Sequence, residues 1–266
     1  MGSGNIQAQK VQHCVFLDYR SLDQDDLDST RLQQWCHRFS RFEQTPPELT
    51  AERLTDADVA IANKVVIDAA IIRQCRRLRL ICIAATGTNN IDLEAAASLG
   101  IVVNNVTGYA TPSVVQHVFT GLLTLVTRFD RQRALARDGG WESSSQFCVL
   151  PGSFAELQGM RLGIIGYGEL GRAVAQVASC FGMRVMVAAR PGGEALKGRV
   201  PLPELLSCAD VVSLHCPLAD NTRNLIDAEA LALMQDHAIL INTARGGIVD
   251  ETALAQALLE GRLGGA

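Results

Sequence analysis

"GIIGYGELGRAVA", residues 163–175, decides how this chain folds. An apolar run ends at Gly166, the spacing Gly166-x-Gly168-x-x-Gly171 follows, and a stretch with helical periodicity begins. Each glycine has its own physical use. Gly166 permits a tight turn, Gly168 lets a pyrophosphate approach the backbone, and Gly171 lets the helix pack on the strand it leaves. The helix start offers unpaired N–H groups and the positive end of a dipole to phosphates. The spacing alone is weak evidence, because a glycine-rich helix start of purely structural use would look the same. Its place between a strand and a helix, with another strand beyond, favours a dinucleotide site. Glu169 falls where a pyrophosphate would lie, so its side chain is expected to face solvent while backbone N–H groups bind.

The alternation continues on the C-terminal side. After strand "MRLGIIG" and helix "ELGRAVAQVASCF" come strand "MRVMVAA", helix "PLPELLSCA" and strand "DVVSLHC". Helix "DAEALALM", strand "AILINTA" and helix "DETALAQALLEG" complete the series. The end of the strand after the glycine loop bears on the coenzyme. Selectivity for NAD rests on an acidic residue about 20 positions beyond the glycines, which accepts from the ribose 2′-hydroxyl. Here the chain reads Ala188-Ala189-Arg190-Pro191-Gly192, with no acid. Arg190 would face a 2′-phosphate, which favours NADP(H) and leaves NAD(H) possible. The alternative is a solvated surface arginine.

The N-terminal half alternates as well. Strands are expected at His13–Asp18, Asp58–Ala62, Leu78–Ala85 and Ile101–Asn104, with helical patterns in "DQDDLDSTRLQQWCHRF", "DAAIIRQC" and "DLEAAASLG". "TPSVVQHVFTGLLTLVTR" predicts a long helix capped by Thr111 with Pro112 in its first turn. "RDGGWESSSQFCVLPGSF" predicts a loop ahead of the second series. Two βαβ series of this kind build two mostly parallel sheets.

Length and composition agree with a globular protein of one large or two medium domains. The chain has 266 residues, 48% of them hydrophobic, and a net charge of −4 with no basic patch, which argues against a nucleic-acid partner. The opening "MGSGNIQAQK" lacks the apolar segment of a signal peptide, and no apolar run approaches membrane-spanning length. Eight cysteines without C-x-x-C spacing, several of them (Cys82, Cys180, Cys216) within apolar runs, read as buried thiols. Neither a disulfide framework nor a metal site is expected, and the protein is expected in the cytoplasm.

"ILINTARGGIVDETAL" ends the fourth strand of the second series, and residues at the carboxyl ends of parallel strands line the ligand crevice. Arg245, held there by a glycine turn, would present a rigid charged fork to a carboxylate and its neighbouring carbonyl. The alternative is a pairing with Asp250 or Glu251 across the helix start.

Together "GYGELG", "LHCPLADNTRNLI", "LINTARGGIVDE" and "GRLGGA" resemble the D-isomer-specific 2-hydroxyacid dehydrogenases. "ATGTNNIDLEAA", "GIVVNNVTGYATPSVVQH" and "VFLDYRSLD" resemble their glycerate dehydrogenase (hydroxypyruvate reductase) branch. The resemblance implies an α/β fold of two domains. Residues 1–105 would form a flavodoxin-like substrate domain, and residues 106–266 a Rossmann-like dinucleotide-binding domain that includes the long helix. It implies a nicotinamide coenzyme, a small 2-keto or 2-hydroxy acid substrate and a homodimer. It assigns Arg245 to the substrate carboxylate and carbonyl, with Thr86 and Gly87 as backbone that receives the carboxylate. Thr243 and Ala244 match positions beside the nicotinamide. Cys216 and Pro217 match backbone near the adenosine half, Thr222 is a further coenzyme-binding position, and Glu169 and Leu170 complete the loop between the glycines.

The resemblance also implies a histidine that protonates the carbonyl oxygen and a glutamate that raises its pKa. Neither matches a residue here. Both would follow the strand that "GRLGGA" opens, so the chain is expected to be a fragment. His117 and His13, His37 and His237 read as structural, in the long helix, the first strand, a surface helix and a helix–strand junction, and His215 matches a coenzyme-side position. A rival reading is a non-enzymatic coenzyme-sensing scaffold, as in the similar C-terminal-binding-protein corepressors. A methyltransferase with a like glycine loop would leave Arg245 and "ATGTNN" unexplained.

Overall fold

A computed structural model describes residues 11–150, 152–190 and 197–266. The opening decapeptide, Pro191 and Gly192 lie outside the described residues. The chain divides into two compact units, Met1–Tyr109 and Ala110–Ala266, a division a few residues beyond the Asn105 boundary read from sequence.

In the first unit β1 (Val11–Phe16), α1 (Thr30–Gln34), β2 (Cys36–Arg41), α2 (Thr50–Leu54) and β3 (Val59–Ala62) come first. They are followed by α3 (Ala69–Gln74), β4 (Leu80–Ile83), α4 (Leu93–Ser98) and β5 (Val102–Asn105). All pairings are parallel, in the order β2-β1-β3-β4-β5, which is the flavodoxin-like order. Every residue of β3 is buried, as expected of a central parallel strand covered on both faces. Asp68 and Asp92 cap α3 and α4, accepting from the backbone N–H of Ile71 and Ala95. The helical reading of "DQDDLDSTRLQQWCHRF" is corrected: only Thr30–Gln34 is helical, and Cys36 opens the edge strand β2. His37 therefore lies on a strand, not a surface helix.

The second unit opens with α5 (Thr111–Thr127) and α6 (Phe129–Arg137). The sequence reading did not separate α6 from what precedes the loop. Then come β6 (Arg161–Ile165), α7 (Glu169–Cys180), β7 (Arg184–Val187), α8 (Leu202–Cys208) and β8 (Val211–Leu214). The series ends with α9 (Ala228–Leu233), β9 (Ile239–Asn242) and α10 (Glu251–Leu259). The parallel order is β7-β6-β8-β9, so the chain reverses direction across the sheet between β6 and β8. Ligands in open α/β sheets bind outside the carboxyl ends of strands at such a reversal. One core packs α5 against α7 and β6, through Val118, Phe119 and Leu122 on one side and Val174 and Ala178 on the other. Beyond α10, the Gly265 carbonyl accepts from the Leu240 N–H at 3.0 Å, so "GRLGGA" begins to pair with β9 as expected.

Arg161 and Asp210 register the first and third strands of this sheet. The Asp210 carboxylate accepts from the Arg161 backbone N–H at 2.7 Å and from its guanidinium, and His237 Nε2 lies 3.0 Å away. Burial pushes this carboxyl up, but the bonds from Arg161 and His237 outweigh it and hold the pKa at about 2. Among the described residues no helix is long and apolar enough to cross a membrane.

Candidate active site

The glycine loop sits at the sheet reversal, and its backbone explains its sequence. Gly166 has φ +95°, and a Cβ there would stand 2.5 Å from the backbone nitrogen of Cys216. At Gly171 a Cβ would come within 2.1 Å of the Gly166 carbonyl oxygen. Gly168 is different, since a Cβ there meets nothing within 4 Å. Two glycines thus close the turn against β8 and against the loop itself, and the third leaves an open face at the start of α7. Gly168 is the N-cap of α7 and supplies no side chain to cap it, so the first N–H groups of α7 are left for a partner.

A cleft of about 660 Å³ opens from this face. Its floor is Gly166–Gly168 and the turn His215–Pro217 after β8; its far side is Ala189, Arg190 and Arg199 after β7. Arg172, one turn into α7, also faces it. The Arg199 guanidinium lies over the Tyr167 ring, 4.9 Å from the centroid. The sequence reading found Arg190 but missed Arg172, Arg199 and Tyr167. Arg172 could have been found from its helical position behind the glycines. Arg199 lies in the connection between β7 and α8 and is brought to the cleft only by the fold.

Thr222 is buried and lines the cleft, yet its hydroxyl is committed to the loop. It donates to the Pro217 carbonyl and accepts from the Ala219 N–H, both at 2.7 Å. Two other side-chain atoms, His215 Nδ1 and Thr243 Oγ1, are buried with no hydrogen-bond partner among the described residues. They follow β8 and β9 directly, at the crevice end of the sheet. His215 Nε2 is 2.8 Å from Ser213 Oγ, and burial lowers its pKa to about 4, so the ring is neutral near pH 7. An open glycine face, unpartnered polar atoms and an arginine pair suit a dinucleotide in shape and charge.

Arg245 follows β9 in extended conformation and N-caps the short 3-10 turn Gly246–Ile248. Asn242 braces the turn from both ends: its amide donates to the Arg245 carbonyl at 2.8 Å, and its oxygen accepts from the Ala244 N–H at 3.0 Å. The guanidinium is exposed, donates to the Ala244 carbonyl, and makes no ion pair among the described residues. Of the alternative partners, Asp250 caps α10 through the Thr252 and Ala253 N–H groups, and no ion pair joins Glu251 to Arg245.

Thr86 and Gly87 belong to the first unit, in the loop between β4 and α4. There the Thr86 carbonyl accepts from the Asn105 side chain at 2.7 Å. The histidines are distributed. His13 is buried between Asp56 and Ser40, His237 pairs with Asp210 at the amino-terminal edge of the second sheet, and His117 is exposed on α5. His117, read from sequence as structural, makes no side-chain hydrogen bond among the described residues. Among the described residues no cysteine is in a disulfide, but Cys180 is exposed and Cys82 and Cys216 are only partly buried, which corrects the uniform reading of buried thiols. Glu169 is exposed as expected, but it is not free: its carboxylate accepts from Thr111 Oγ1 at 2.5 Å. That bond also corrects Thr111, which is the first residue of α5 and caps nothing, the N-cap being Ala110.

The family model for "D-isomer specific 2-hydroxyacid dehydrogenase, NAD binding domain" matches residues 119–266. The glycerate dehydrogenase of Methylorubrum extorquens is 42% identical over 247 residues, covering 92% of this chain and 78% of that protein. The hydroxypyruvate reductase of Blautia hydrogenotrophica is 34% identical over 258 residues, covering 95% and 80%. Among solved structures, the TT0316 protein of Thermus thermophilus superposes with a TM-score of 0.82 at 35% identity, covering 96% of this chain and 80% of that one. With the glycine loop at the sheet reversal and Arg245 at the end of β9, these likenesses establish that the chain belongs to the D-isomer-specific 2-hydroxyacid dehydrogenases, nicotinamide-coenzyme enzymes with a Rossmann-like domain.

Proposed function

We propose that this protein reduces hydroxypyruvate or glyoxylate to D-glycerate or glycolate, using NADPH in preference to NADH. The observation that carries the reading is Arg245, an exposed guanidinium without an ion pair, braced at the carboxyl end of β9 in the unit that holds the glycine-loop cleft. Such a fork binds a carboxylate and the adjacent keto oxygen together, which fixes the carbonyl carbon for attack and stabilises charge on its oxygen. The names of the similar glycerate dehydrogenase and hydroxypyruvate reductase support the substrate class.

The remaining assignments follow the fold. Backbone N–H groups of Glu169 and Leu170 at the start of α7 would take the pyrophosphate. Cys216 and Pro217 would lie along the adenosine, with Thr222 holding their turn in shape. Thr243 and Ala244 would flank the nicotinamide, and Thr86 and Gly87 would receive the substrate carboxylate. Bound there, the coenzyme supplies the hydride. Arg190 and Arg199 together would take a 2′-phosphate where an acid would accept from a 2′-hydroxyl. No proton donor is assigned among the five histidines. The two that pair with a carboxylate do so through Asp56 and Asp210, and Asp210 precedes β8 whereas Arg245 follows its parallel neighbour β9, at the opposite ends of the strands.

The proposal includes a cytoplasmic location and a homodimer. Support for the dimer is an apolar groove of about 450 Å³ lined by Phe129, Leu135, Trp141, Leu150 and Phe154. Trp141 and Leu150 are 56% and 68% exposed there, apolar side chains open to a partner surface. The test is hydroxypyruvate- and glyoxylate-dependent oxidation of NADPH and NADH by the protein as its gene encodes it. Turnover with D-glycerate as product is the expected result. Tight coenzyme binding without turnover of either acid would return the reading to a coenzyme-sensing scaffold.

A further inference from the structure

The hydrogen bond between Thr111 and Glu169 joins the first residues of two helices. Helices α5 and α7 share one core, and Phe119 of α5 stacks on Phe181 just after α7 with centroids 5.4 Å apart. Neither helix start is capped by its own N-cap side chain, because Ala110 and Gly168 offer none. A carboxylate at the first position of α7 has three favourable places to go. It can turn back onto the N–H groups of its own helix, pair with Arg172 three residues on, or cross to α5. In the structure it crosses to α5, where the Thr111 hydroxyl donates to it at 2.5 Å. Arg172 makes no ion pair among the described residues and faces the cleft.

The first two places are those a coenzyme diphosphate needs. A glutamate on the α7 N–H groups would compete with the phosphate oxygens for the same donors and repel their charge. A glutamate on Arg172 would neutralise a cation of the cleft. We propose that Thr111 is a positioning residue for coenzyme binding: its hydroxyl holds the Glu169 carboxylate against α5 and keeps the start of α7 and Arg172 free for the diphosphate. The inference rests on the proposed dinucleotide site. It explains how an acidic residue is tolerated between the second and third glycines of the loop.

The test is equilibrium titration of the 266-residue chain with NADPH and NADH, followed by fluorescence or calorimetry, beside thermal unfolding of each variant. Thr111→Val removes the donor at nearly constant volume and should weaken coenzyme binding by about ten-fold or more. Thr111→Ser keeps the donor and should bind as the parent does. Thr111→Val with Glu169→Gln removes the misplaced charge and should recover affinity to within about two-fold of the parent. A structural role for Thr111 predicts no such rescue. Parent-like affinity in Thr111→Val, or failure of Glu169→Gln to restore it, would overturn the inference. Failure of the parent to bind either coenzyme would instead overturn the dinucleotide site on which it rests.

Discussion

The backbone nitrogen of Cys216 stands 2.5 Å from where a Cβ on Gly166 would be, so the turns after β6 and β8 share one surface with no room between them. That contact forms the floor of the cleft. Gly166→Ala, at φ +95°, should destabilise the second unit by about 1–3 kcal/mol and abolish measurable coenzyme binding. Gly171→Ala should behave alike, because its Cβ meets the Gly166 carbonyl oxygen. Gly168→Ala has open space in the free protein and should leave the unfolding midpoint nearly unchanged while weakening coenzyme affinity. Thermal unfolding beside a coenzyme titration separates these outcomes. Equal losses of stability at all three positions would argue against a ligand face at Gly168.

Coenzyme preference should follow the arginines after β7. NADPH should bind about ten-fold or more tightly than NADH, the worth of one charge-assisted hydrogen bond. Arg190→Ala should narrow the gap and Arg190→Ala with Arg199→Ala should close it, without much effect on NADH. Ala189→Asp with Arg190→Ala should reverse the order by offering an acceptor to the 2′-hydroxyl. Dissociation constants from titration check each step, and equal constants for both coenzymes in the parent would make Arg190 a surface charge.

The second unit should lose stability in acid in two stages. His215 is held neutral by burial, with a pKa of about 4, while in the unfolded chain it takes a proton near 6.5. Between those values the unfolded state binds the extra proton, so stability falls as pH drops from about 6.5 towards 4. Asp210 acts lower down. Its folded pKa is about 2 against an ordinary 3.8, so its contribution is present above pH 4 and is lost as pH falls towards 2. Denaturant unfolding across this range should show a shallower upper stage in His215→Asn and a shallower lower stage in Asp210→Asn. An unchanged upper stage in His215→Asn would mean that the imidazole is not the group titrating there.

What the sequence made legible was what the backbone itself demands. Gly166 is demanded by its φ of +95° and Gly171 by a clash with the Gly166 carbonyl oxygen five residues back, and the short β-rich run Val211–Leu214 reads as a buried strand. What it hid depends on neighbours distant in the chain. β2 reads as the tail of a helix because Cys36–Arg41 is an edge strand with mostly polar, accessible side chains. Thr111 looks like a helix cap until the fold sets Glu169 beside it, 58 residues later. Arg199 gives no sign of a ligand role until its connection brings it over Tyr167. Arg245 was legible because a strand end, a glycine turn and a charged fork are adjacent in sequence.

The groove around Trp141 should be covered by a second copy of the chain. Trp141→Glu with Leu150→Glu places like charges on a largely apolar surface and should convert a dimer into a monomer in light scattering, with little change in coenzyme affinity. A parent protein that is monomeric at micromolar concentration would dismiss this surface as the interface.

The role proposed for Arg245 is what would separate a dehydrogenase from a mere coenzyme binder, and one paired measurement tests it. Arg245→Lys keeps the charge and loses the planar fork. In the protein as its gene encodes it, kcat/KM for hydroxypyruvate should fall by roughly 10–100-fold or more while the NADPH dissociation constant stays within about two-fold of the parent. Near-normal kcat/KM in the lysine variant would contradict the account.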